Sequence, residues 1–167
     1  MADPGGAQGA GRTCRLLSPL EEAVWFGMLH AHTVLSRAID AELVRVHRLP
    51  LTGFEVLMHA QRAGARGIGM SGLARRIVLS PSGLSRLVDR LEDEGLLRRH
   101  AGQEDARAVF VAITPEGACR LEEAAATHVA VIRKRLLSGL DEAEMRQLAA
   151  LWRRVAGEEA CADPDEG

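Results

Sequence analysis

The sequence predicts a mainly helical fold of the α+β class. The expected order is helix, helix, strand, helix, helix, strand, strand, helix, helix. Three observations carry the helices and the closing hairpin. Leu84, Leu87, Val88 and Leu91 fall at i, i+3, i+4 and i+7, between a Ser80-Pro81 opening and Gly95. Serine suits the N-cap, proline the first helical position and glycine the C′ position. Residues 96–101 and 108–113 are short and rich in branched apolar side chains, and a polar loop separates them. They read as a hairpin. Longer stretches of helical periodicity lie on either side of this centre.

The flanking helices are read from their starts. Ser18-Pro19-Leu20-Glu21 opens a long helix to about His47, with Trp25, Met28, His32, Leu35, Ile39 and Val46 near heptad spacing. Thr52-Gly53-Phe54-Glu55 has the form of a capping box for a helix to about Ala63. Thr114-Pro115-Glu116 opens a helix to about Leu137, with Leu121, Ala125, Ile132 and Leu136 on one side. Asp141-Glu142 starts the last, with Met145, Leu148, Leu151, Trp152 and Val155 apolar. An aromatic content of 3% against 47% hydrophobic residues means that aliphatic side chains must fill the core.

The centre has the form of a winged helix-turn-helix. Ser71 is a candidate N-cap for a short helix whose buried side is Leu73, Ala74, Ile77 and Val78. Val78-Leu79-Ser80 then turns into the helix that begins at Pro81. Ser82, Ser85, Arg86, Asp89 and Arg90 share that helix's outer side. Short hydroxyls let its backbone approach a duplex, and guanidiniums reach guanine edges or phosphates. As a plain surface helix it would instead pair Arg86 with Asp89 and Arg90 with Glu94. The preceding helix and following hairpin favour DNA recognition. Arg75 and Arg76 suit phosphates. Arg107 at the hairpin tip suits a narrow minor groove, with Asp105 orienting it. The DNA-contacting set is therefore Ser71, Arg75, Arg76, Ser80, Ser82, Ser85, Arg86, Arg90 and Arg107.

Leu73-Ala74, Ser80-Pro81-Ser82, the run from Ser85 to Arg99, Asp105-x-Arg107 and Val111-x-Ile113-Thr114-x-x-Gly117 together resemble the MarR family of bacterial transcriptional regulators. The likeness runs from about Leu51 to the helix after Thr114. It implies that Arg107 is the wing arginine, while Ala106 stands where the family usually has arginine. It also implies dimerisation through the terminal helices. The apolar faces of those helices need burial in any case, and a two-fold dimer places two recognition helices on a palindromic operator. The family commonly binds small aromatic ligands between the dimer helices and the winged unit. Trp25, His30, His32, Phe54 and His59 are the candidates to line such a pocket, and plain core or surface positions are the alternative for each.

The expected organisation is a disordered tail over residues 1–17 and a dimerisation region over 18–48 and 114–157. The DNA-binding domain spans 51–113, and an acidic tail covers 158–167. The formal net charge of −2 speaks at first against nucleic acid. Locally, from Arg62 to Arg107, nine arginines face six acids, a net +3. A basic unit in an acidic frame fits electrostatic DNA binding. Phosphate-loop, nucleophile-elbow and zinc-ligand motifs are absent, so no enzyme activity, metal or cofactor is expected. No apolar run is long enough for a membrane span, and a cytoplasmic location follows.

Cys14, Cys119 and Cys161 read as reduced thiols. Peroxide-sensing relatives place a cysteine in the first helix near tyrosines. This chain has no cysteine there and no tyrosine at all. A redox- or zinc-responsive regulator of the same fold is one alternative, and a winged-helix protein-interaction module is another. The preferred reading is a homodimeric repressor released by a ligand.

Overall fold

The computed structural model describes residues 16–102 and 108–156. Six helices and a small sheet follow the expected order: α1 (Pro19–His47), α2 (Leu51–Arg62), β1 (Ile68–Gly69), α3 (Met70–Ala74), α4 (Pro81–Asp93), β2 (Leu97–Ala101), β3 (Val109–Ile113), α5 (Pro115–Arg135) and α6 (Glu142–Ala156). Short 3-10 turns, Gly64–Arg66 and Leu137–Gly139, follow α2 and α5. The chain divides into two compact units within α1, one ending at Val34 and the other beginning at Leu35.

In the first unit, Ser18 and Glu21 cap α1 reciprocally. The Ser18 N–H donates to Glu21 Oε2 at 2.7 Å, and the Glu21 N–H donates to Ser18 Oγ at 3.3 Å. Leu20, Val24, Trp25, Phe26 and Leu29 are exposed along this part of the helix.

The second unit holds a continuous core. It takes Ile39 and Leu43 from α1, Phe54, Val56, Leu57 and Ala60 from α2, and Leu73 and Ile77 from α3 and its exit. Leu84, Leu87, Val88 and Leu91 of α4 join Leu96, Leu97, Val111 and Ala124. Phe54 is the one aromatic residue among these buried groups, which matches the aliphatic core expected from composition. The sheet has the order β1-β3-β2, all antiparallel, with Ile68 opposite Val111 and Leu97 opposite Ile113.

Helix starts account for most differences from the sequence reading. α2 begins at Leu51, and its N-cap, Pro50, offers no side-chain hydrogen bond. Thr52 to Glu55 therefore lie inside the helix and form no capping box. Asp40 of α1 takes over, accepting the Leu51 N–H at 2.8 Å. Ser71 is likewise no N-cap: Gly69 caps α3, and Ser71 is its second residue. The pairing of Ile68 and Gly69 in β1 brings the chain directly into the helix. Because α3 stops at Ala74, Ala74 and Val78 miss the buried side and are exposed, while Leu73 and Ile77 are buried. α5 ends at Arg135, with the 3-10 turn where helix was expected.

Gly117 lies at a close approach. A Cβ there would sit 2.0 Å from the Leu96 carbonyl oxygen, so only glycine lets the start of α5 lie against the end of α4's loop.

Candidate nucleic-acid interface

α4 follows from its sequence nearly residue by residue. Ser80 Oγ accepts the Gly83 N–H at 3.2 Å, satisfying one of the orphan donors of the first turn. Pro81 occupies the first turn, and Gly95 at φ 73° receives the chain past the C-cap Glu94. Leu84, Leu87, Val88 and Leu91 face the core as expected. Ser82, Arg86, Asp89 and Arg90 are exposed and Ser85 is half-buried.

The charges on this helix are sorted unevenly. Arg90 lies 3.8 Å from Glu94, close to the expected i, i+4 pair. Asp89 does not pair with Arg86. It accepts from Arg99 Nη2 of β2 at 2.6 Å. Arg99 also bonds Glu92 through its guanidinium, and its backbone N–H donates to Glu92 Oε1 at 2.9 Å. Partial burial works against the Arg99 charge, and the hydrogen bonds and charges of Glu92 and Asp89 outweigh it. The result is a clamp from the recognition helix to the hairpin. Among the described residues no acid pairs with Arg86.

Arg75 and Arg76 leave α3 exposed. Arg76 Nη1 donates to the Gly72 carbonyl at 3.1 Å, so its guanidinium folds back along α3. His59 of α2 is half-buried. Burial, then the charges of Arg62 and Arg76, hold its pKa below the ordinary histidine value. The hairpin is built as expected, and the Gly102 N–H closes it onto the Ala108 carbonyl at 2.8 Å. Asp105 and Arg107, expected at its tip, lie outside the described residues.

The pocket candidates are found in different settings. Trp25 and His32 are exposed in the first unit, as is His30. Phe54 is buried and stacks on His128 with ring centroids 4.7 Å apart. Burial lowers the His128 pKa. Among the described residues no three histidine, cysteine, aspartate or glutamate side chains are grouped to hold a metal ion. Nor is any helix among the described residues long and apolar enough to cross a membrane.

The MarR family profile matches residues 49–109, from the entry to α2 to the start of β3. The transcriptional regulator PecS of Dickeya dadantii is 32% identical over 123 residues, covering 73% of this chain and 73% of PecS. This chain belongs to the MarR family. The transcriptional repressor MdtR of Bacillus subtilis is 34% identical over 87 residues, and the match spans 52% of this chain and 56% of MdtR. Among solved structures, the MarR family regulator Sco3205 of Streptomyces coelicolor, in complex with DNA, superposes with a TM-score of 0.76 at 29% identity, covering 87% of this chain and 91% of that one. CouR of Rhodococcus jostii RHA1, bound to p-coumaroyl-CoA, gives 0.70 at 26% identity, covering 84% and 96%.

In this MarR chain, sequence reasoning missed Arg99 and His128. Arg99 carries a local signal, since Asp89 and Glu92 lie one turn apart on α4 and the basic strand follows the Gly95 turn. His128 carries none, because its partner Phe54 is more than seventy positions upstream.

Proposed function

We propose that this chain is a homodimeric transcriptional repressor that binds a palindromic operator through α4 and the wing. The observation that carries the reading is Arg86. It is exposed in the middle of the outer face of α4 and has no acidic partner among the described residues, while its neighbours Arg90 and Asp89 are each engaged. An unpaired guanidinium on a capped, rigidly packed helix is free to grip a guanine edge or a phosphate. Ser82 and Ser85 beside it keep the approach open. Arg75, Arg76, Ser71 and Ser80 are the proposed backbone contacts, and Arg107, oriented by Asp105, the proposed minor-groove contact. Such a regulator works in the cytoplasm, where the chromosome is.

Release by a small aromatic ligand completes the proposal. Support comes from the structurally similar CouR, whose structure holds p-coumaroyl-CoA. Within the second unit, Phe54 and His59 are the ring-bearing residues proposed to meet such a ligand.

The test is selection of binding sites from random duplexes, followed by fluorescence anisotropy. The wild-type protein is expected to enrich an inverted repeat. Arg86→Ala should weaken binding to it about 10- to 100-fold and relax the preference at one base pair per half-site. Equal affinity and equal base preference in the variant would overturn the assignment of α4.

A further inference from the structure

Val78 sits at the bend between α3 and α4 and is 98% exposed. Ile77 on one side, and Leu79 and Ser80 on the other, explain how it is held there. Ile77 is buried in the core, and its carbonyl accepts the Leu79 N–H at 2.9 Å, an i to i+2 bond that closes a three-residue turn on Val78. Ser80 then caps α4. The turn thus pins a β-branched apolar side chain outward, in water, where glycine, asparagine, aspartate or serine is the usual choice. A shallow concavity of about 430 Å³, lined by Ala74 to Ser80, lies beside it. Two residues of chain keep Val78 within about 7 Å of the α4 N-cap. The first residues of a recognition helix are the ones that meet base edges in the major groove. That edge carries one apolar group, the C5 methyl of thymine.

We infer that Val78 packs on a thymine methyl in the major groove and sets the base preference at one position of each half-site. This rests on the DNA-binding reading above and adds a specificity determinant to it.

The experiment uses the full chain and the duplex it selects. Each thymine is replaced in turn by uracil, which pairs identically and lacks the methyl. One replacement per half-site should weaken wild-type binding about three- to tenfold. Val78→Ser should bind the thymine and uracil duplexes alike, close to the wild-type affinity for uracil, with an unchanged melting temperature. Indifference of the wild type to every uracil, or a uracil penalty that persists in Val78→Ser, would overturn the assignment while leaving sequence-selective binding intact. Absence of selective binding to any duplex would instead sink the DNA reading and this inference with it.

Discussion

Phe54 and His128 show what burial does to a single titratable group. The imidazole stacks on a core ring, and burial holds its pKa below the ordinary value; His59 is shifted the same way by burial and by Arg62 and Arg76. A histidine with a depressed folded pKa binds protons more readily when unfolded. Its contribution is therefore fully present above the unfolded value of about 6.5 and is lost as pH falls through it toward the folded one. The melting temperature should fall as pH drops from about 7.5 to about 5. In His128→Phe that fall should be shallower, and equal slopes for the two proteins would count against the assignment. Residue-level caps divide by where the partner lies. Ser80 and Thr114 bond the N–H three positions on, at Gly83 and Gly117, so their roles were legible in the sequence. The cap of α2 was not, because Asp40 supplies it from eleven positions upstream.

Elements are held in register by a few charged contacts. Arg99 ties β2 to Asp89 and Glu92 of α4. Its side chain is 26% exposed and Asp89 is 54% exposed, so solvent weakens the link. Arg99→Met should cost about 1–2 kcal/mol in chemical denaturation after that screening. Arg86→Ala should cost close to nothing by the same measurement, since no acid pairs with it among the described residues. Similar losses in both variants would contradict the division of labour between a structural and a DNA-facing arginine. The helix periods of α4 revealed which side is buried. They did not reveal which of its acids is already committed, because Arg99 reaches them across the Gly95 turn.

For the whole molecule, the apolar residues left in water are the guide. Leu151, Trp152 and Val155 of α6 are exposed, and so, in the other unit, are Leu20, Val24, Trp25 and Phe26 of α1. Burial of such side chains is worth roughly 1.5–3 kcal/mol each when complete, which favours a second copy as their cover. The protein should run as a dimer in light scattering at micromolar concentration. Trp152→Asp combined with Val155→Asp should shift it toward monomer and weaken operator binding at least tenfold, since two half-sites are no longer held together. A wild-type monomer, or a charged variant that stays dimeric, would refute the α6 interface.

The sequence by itself determined the succession of helices, the recognition helix with its cap and stop, and the hairpin behind it. Those features rest on contacts between residues a few positions apart, which periodicity and capping chemistry report directly. Tertiary structure alone decided that β1 pairs with β3, that Asp40 starts α2, that Arg99 occupies Asp89 and leaves Arg86 without an acidic partner among the described residues, and that Val78 faces solvent at the bend. Each of these depends on a partner brought from another element or on a helix ending one turn early. Spacing along the chain carries no record of either.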